Sequence, residues 1–174
     1  PITPLMSGAR AIRKSYCSSP CCHCPSFCLQ RVLSNYDGYS QARGAGVQRV
    51  SINLPVHHPQ KSRELRAIHA ALAANLSVCS GVNLDDQTPV KQYLAIAQLL
   101  KPLRIQSIVI GITTLKTPTI RERLLRTTAI FRFILPDAVI LLSPNSPSLF
   151  HYDASPLTAG ANGFYHCQPL VLNG

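Results

Sequence analysis

The chain has 174 residues and is 46% hydrophobic, which suits one domain with a real core and excludes a disordered chain. Its net charge of +10 comes from 17 Lys and Arg against 7 Asp and Glu, but the basic residues are scattered, from Arg10, Arg13 and Lys14 to Arg121, Arg123 and Arg126. With no dense basic run, no Trp and only 6% aromatics, the composition points away from a nucleic-acid partner.

Residues 5–15 read as a short helix leading into a cysteine loop, or as a basic, acid-free transit-peptide tail. Residues 17–28 form that loop. Residues 29–46 are polar and Gly-rich, and read as a loop or a weak helix end. From Arg49 to Leu54 the residues alternate as in a strand. Ser62 opens a helix with Leu65, Ile68, Leu72 and Leu76 on one face. Ser77 to Val82 is a short apolar strand. Thr88 then reads as an N-cap with Pro89 at the first helical position, before Val90, Leu94, Ala97 and Leu100 at helical spacing.

Gln106 to Ile112 is β-branched and nearly all apolar, as in a strand buried on both faces of a parallel sheet. Thr119-Ile120-Arg121-Glu122 has a capping-box pattern before a helix carrying Leu124, Leu125, Ile130 and Phe131, and Pro136 stops it. Ala138 to Leu142 is another buried strand, Pro156 to Ala161 a last short helix, and Gly163 to Cys167 a final strand. Strands therefore recur roughly every 25 to 32 residues with helices between them, the βαβ rhythm. The expected fold is α/β, an incomplete (β/α) TIM-type barrel of five or six parallel strands in a single domain over 1–174. Closing a barrel takes eight strands and about 250 residues. The rivals are an open doubly wound sheet and a chain too short to fold alone. The cysteine loop is placed at the C-terminal end of a first strand that leads into it.

Seven cysteines is an odd count, and five of them fall within residues 17–28. A secreted disulfide scaffold would spread an even number along the chain. The chain begins Pro1-Ile2-Thr3-Pro4 with no secretory signal and no initiator Met, which reads as a processed chain or a fragment. Its longest apolar run, 129–143, is broken by Arg132, Pro136 and Asp137, so neither an ordinary transmembrane helix nor a membrane partner is expected. Cys17, Cys21 and Cys24 stand in a Cys-x3-Cys-x2-Cys spacing. Three thiolates leave one iron of a four-iron cluster without a protein ligand, and an open coordination position is what metal-based chemistry needs. A zinc site with four ligands from Cys17, Cys21, Cys22, His23, Cys24 and Cys28 stands beside that reading, and so do disulfides in a secreted chain.

The Cys17–Pro25 loop resembles the cluster loop of the biotin synthase family of radical S-adenosylmethionine enzymes. Arg49-Val50-Ser51-Ile52-Asn53-Leu54 resembles that family's strand ending in Tyr-Asn-His-Asn-Leu-Asp, and Ser77-Val78-Cys79-Ser80-Gly81 its Val-Cys-Ser-Gly segment. Arg126 to Asp137 and Ala159-Gly160-Ala161-Asn162 resemble its C-terminal units. The matches keep the family's order over 5–28 and 47–172. The resemblance implies a [4Fe-4S] cluster on Cys17, Cys21 and Cys24, which reduces S-adenosylmethionine to give a 5′-deoxyadenosyl radical that abstracts hydrogen from dethiobiotin. It further implies Asn53 as a cofactor-binding residue, and Cys79 as one ligand of a second, [2Fe-2S] cluster that supplies sulfur. An electron-donor protein, a homodimer and a cytoplasmic location, mitochondrial in a eukaryote, follow from the same resemblance. Only 22 residues separate Cys24 from Val47, where the family places two or three βα units. The alternatives are therefore a catalytically inactive shortened relative and a basic zinc-binding interaction module.

The remaining polar candidates have simpler readings. Cys79 in a buried strand also reads as a small apolar core residue, and Cys167 as core in the last strand. His57-His58 reads as an exposed loop pair rather than a metal site. His69 lies on a helix flank, and Asp85-Asp86 serves the turn before Thr88.

Overall fold

The computed structural model describes residues 2–16, 28–29, 33, 35–112, 119–143 and 155–164. In chain order the elements are α1 (Ile2–Tyr16), β1 (Cys28–Leu29), α2 (Tyr36–Gly44), β2 (Arg49–Asn53), α3 (Arg63–Ala73) and β3 (Ser77–Leu84). They continue with α4 (Val90–Leu100), β4 (Ser107–Ile112), α5 (Thr119–Ile134), β5 (Val139–Leu142), α6 (Ser155–Thr158) and β6 (Gly163–Phe164). The six strands form one sheet in the order β1-β2-β3-β4-β5-β6, and every neighbouring pair is parallel. A doubly wound sheet reverses its strand order partway along. Here the order never reverses, so right-handed crossovers place every connecting helix on one face. This is the winding of a (β/α) barrel with fewer than eight strands, as the strand rhythm predicts.

Strand alternation sends one set of side chains to the helices: Val50 and Ile52 from β2, Val78, Val82 and Leu84 from β3, Ile108, Ile110 and Ile112 from β4, Ile140 and Leu142 from β5. They pack against Leu65 and Ile68 of α3, Tyr93, Ile96 and Leu100 of α4, and Leu124 and Phe131 of α5. Burying each large side chain contributes about 1.5–3 kcal/mol, so this layer dominates the stability of the fold.

Local chemistry sets the element ends. Ser62 caps α3 by accepting from the Leu65 N–H at 3.0 Å, as the sequence predicts. In α4 the expected cap shifts by one residue. Pro89 takes the cap position without a side-chain hydrogen bond, because the Thr88 hydroxyl donates to Asp85 instead, at 2.7 Å. The buried face of α4 also turns: Tyr93 and Ile96 go inward with Ala97 and Leu100, while Leu94 is exposed. Thr119, expected as a cap, is already the first helical residue of α5.

Two larger expectations fail. The stretch 29–46 is not merely a loop, since it contains α2. Asn35 caps that helix by accepting from the Gly38 N–H, and Tyr39 is fully buried with its hydroxyl accepting from Leu33 N–H. A local cap and one aromatic anchor outweigh two helix-weakening glycines. No strand leads into the cysteine segment either. The residue before it, Tyr16, ends α1, and the strand β1 comes after it. Helix α1 packs on α5 and α6, at the far end of the layer from β1.

Arg132 is the largest fully buried side chain among the described residues. Its Nε donates to the Gly160 carbonyl, one terminal nitrogen to the carbonyls of Pro136 and Ala138, and the other to Asn162 Oδ1 at 2.6 Å. Asn162 Oδ1 also accepts from the Ile140 N–H. One guanidinium thus joins the end of α5, the start of β5 and the approach to β6.

Candidate functional site

The face of the sheet turned away from the helices has a different character. Register sets Ser51, Cys79, Ser107 and Val139 in one row across β2 to β5, and Asn53, Gly81, Val109 and Leu141 in the next. A third row, nearer the C-terminal edge, pairs Asn83 with Gly111. Cys79, Val109 and Leu141 form a small apolar cluster of their own, with Val139 packed against it. Asn53 and Asn83 are exposed at the edge where the strands end. In (β/α) barrels that edge carries the active site.

Glycine shapes this rim. A Cβ at Gly81 would collide with Asn53 Oδ1 and lie 2.8 Å from the Val109 carbonyl oxygen, and one at Gly111 would collide with Asn83 Oδ1. Each asparagine amide therefore lies over a glycine of the next strand. The result is two neutral amides, on adjacent strands and two residues out of step, above a dry apolar floor. Asn83 and the two glycines escaped sequence reasoning. The signal was present, because Asn53, Asn83 and both glycines share one alternation phase.

The sequence-predicted residues distribute as follows. Asn53 and Cys79 share the inner face in adjacent rows, with Cα atoms about 8 Å apart by strand spacing. Cys79 is fully buried. Its row neighbour Ser107 is 3% exposed, with an Oγ that has no hydrogen-bond partner. Among the described residues, no group of three or more His, Cys, Asp or Glu converges. Around Cys79 the donor set is thus one thiol and the hydroxyls of Ser51 and Ser107, which does not by itself fit a two-iron cluster.

Cys17, Cys21, Cys22, His23, Cys24 and Cys167 lie outside the described residues. Cys28 opens β1 opposite Arg49, the first residue of β2. Cys28 therefore stands at the N-terminal edge of the sheet, whereas Asn53 ends β2 at the other edge. His69 is exposed on α3, and His57 and His58 are exposed on the loop after β2.

Asp85 serves its turn, as expected. It accepts from the N–H groups of Gln87 and Thr88 and from the Thr88 hydroxyl, at 2.6–2.8 Å. Burial alone would raise its pKa. The hydrogen bonds from Thr88 and Gln87, with the Arg123 charge, outweigh that and hold it below the usual carboxylate value. Arg123 also donates to the Thr88 carbonyl, tying α5 to this turn. Burial pushes the Tyr93 hydroxyl pKa up, against the hydrogen bonds it shares with Asp85 N–H and Thr88.

Comparison with known proteins bears on this geometry. The chain is similar to a biotin synthase of Clostridium perfringens strain 13, with 30% identity over 155 residues, or 79% of this chain and 48% of that protein. A biotin synthase of Clostridium tetani strain Massachusetts is 29% identical over 166 residues, 86% of this chain and 51% of that protein. The chain thus spans about half the length of the curated relatives it matches. No family model matches it. No helix among the described residues is long and apolar enough to cross a membrane.

Proposed function

We propose that this chain is a radical S-adenosylmethionine protein of the biotin synthase kind, acting in sulfur insertion into dethiobiotin. The observation that carries the reading is the similarity to biotin synthases, which runs through 155 residues. The parallel sheet supports it by presenting Asn53 and Cys79 on one face. A four-iron cluster on Cys17, Cys21 and Cys24 would supply, when bound, reductive cleavage of S-adenosylmethionine.

The chain's own residues orient and shield. The Asn53 amide offers one acceptor and two donors at the rim, enough to fix a neutral polar group of a ligand. Gly81 and Gly111 leave room for the Asn53 and Asn83 amides to lie low over the neighbouring strands. Cys79, Val109 and Leu141 supply a dry floor, and water exclusion protects reactive species. For a cluster to share the rim with Asn53, the four-residue tether from Cys24 to Cys28 would have to run the length of β2, about 13 Å.

The test is anaerobic reconstitution of the full chain with iron and sulfide, then assay of 5′-deoxyadenosine formation with and without dethiobiotin. Cleavage that Cys17→Ala abolishes is the expected result. A cluster without cleavage would instead make the chain an inactive shortened relative. Stoichiometric zinc with no iron would make it a zinc-binding module.

A further inference from the structure

The rim of the sheet carries an asparagine that neither the core nor the cysteine segment uses. We propose that the Asn83 amide is a ligand-positioning group, which holds a planar, neutral group that presents an N–H donor beside an acceptor. The identity of the ligand rests on the radical-enzyme reading; the position of the amide does not.

Three observations carry it. First, Asn83 lies on the inner face, because its Oδ1 occupies the space that a Cβ on Gly111 of the next strand would need. Second, the side chain is exposed at the edge where (β/α) barrels bind their ligands, and its amide makes no hydrogen bond among the described residues. Asn53 does not satisfy it. That residue pairs with Gly81, which sets the two asparagine Cα atoms about 8 Å apart by strand spacing. Both amides lean the same way, one strand over, Asn53 to Gly81 and Asn83 to Gly111. Third, the backbone under Asn83 is held from two sides. Asn83 and Leu84 stand in register with Gly111 and Ile112 of β4. From α4, the Tyr93 hydroxyl donates to the Asn83 carbonyl at 3.4 Å and accepts from the Asp85 N–H at 3.3 Å. A polar group on so firm a support has little freedom left to lose on binding. Asparagine is also depleted in strands, so strand propensity does not account for its place here.

A primary amide offers one acceptor and two donors in one plane. It pairs in bidentate fashion with a group whose donor and acceptor stand side by side, as asparagine does with N6 and N7 of adenine. The cyclic urea of dethiobiotin and the adenine of S-adenosylmethionine both have such an edge. Among the described residues, neither the row of Asn83 nor that of Asn53 contains an ionisable side chain, which suits a neutral group. A merely solvated strand-end residue is the simpler alternative, and it predicts no ligand response to any change at position 83.

The experiment is isothermal titration calorimetry of the full chain, with dethiobiotin in one arm and 5′-deoxyadenosine in the other. Asn83→Ala should raise the Kd in one arm by about tenfold, the loss of two neutral hydrogen bonds. Asn83→Asp keeps the shape and removes the donor, so it should weaken the same arm to a similar extent. Gly111→Ala should also weaken it by displacing the amide, and should add nothing in a chain that already carries Asn83→Ala. The urea is the bound group if the dethiobiotin arm responds, and the adenine if the other does. The two variants at the exposed position 83 should keep the urea unfolding midpoint of the parent, which checks folding. A parent chain that binds neither compound, or Asn83 variants that bind both as the parent does, would overturn the proposal. Cleavage of S-adenosylmethionine by a chain whose binding ignores residue 83 would sink this role and leave the enzyme reading standing. Asn83-dependent binding in a chain that forms no cluster would do the reverse.

Discussion

The two faces of one sheet divide the work of this molecule. The helix-facing side carries a continuous layer of Ile, Leu and Val from four strands, closed by five helices. The opposite side carries Ser51, Asn53, Asn83, two glycines and, among the described residues, a cluster of three buried apolar residues, Cys79, Val109 and Leu141. Residues of one strand alternate between these regimes, so β3 contributes Val78 and Val82 to the core and Cys79 and Gly81 to the other side. Stability resides on one face, and the other is left free to be polar.

That division can be broken most severely at Arg132. Arg132→Met takes the guanidinium donor from three carbonyls in a largely buried setting and leaves Asn162 Oδ1 with the Ile140 N–H alone. A loss of about 3–5 kcal/mol in urea unfolding is expected. The next test sets the faces against each other directly. Ile110→Ala, in the helix-facing core, should cost about 3 kcal/mol, while Cys79→Ala, buried in the smaller cluster, should cost about 1 kcal/mol. Equal losses would show that both faces carry the fold.

Gly81→Ala sharpens the comparison within the inner face. It should destabilise by about 2 kcal/mol, because the methyl meets both the Asn53 amide and the Val109 carbonyl. Asn53→Ala alone should stay within about 0.5 kcal/mol of the parent, since the residue is exposed. Combined with Gly81→Ala it should recover only part of the loss. The amide can move, and the backbone oxygen cannot. The mildest effect concerns acid. Asp85 has a lowered native-state pKa, so its contribution is present above the unfolded carboxylate value near 4 and is lost as pH falls through the native one. Asp85→Asn should therefore flatten the acid limb of a melting-temperature profile measured down to pH 3.

Much of this was legible in the residues themselves. Four of the strands announce themselves as β-branched or alternating runs, and their spacing predicts a parallel sheet or a barrel; that the sheet winds one way came from the strand order. Asp85 was readable as a turn residue because Asx hydrogen bonding is local. The failures have a common cause, in that tertiary partners decided them. The face of α4 turned because Tyr93 found Asp85 and Asn83, which no helical periodicity encodes. Helix α2 depended on Tyr39 finding a buried slot. Arg132 reads in sequence as an interruption of an apolar run, yet it is fully buried, because its acceptors come from residues 136–162. Asn83 was invisible alone and becomes meaningful only when register sets it beside Gly111.

The packing of α1 on α5 and α6 has a consequence for the order of assembly. Residues 2–16 must wait for partners more than 100 positions later, at 119–134 and beyond. Contacts so distant along the chain close slowly, since loop-closure entropy is met before the contact rewards it. During synthesis α1 therefore emerges well before α5 and α6 and must wait for them. Until then α1 lacks its cover, including the pocket that takes Ala9 out of water. Amide exchange in α1 should accordingly outpace that in β3 and β4, marking a helix made before its partners as the first to let go.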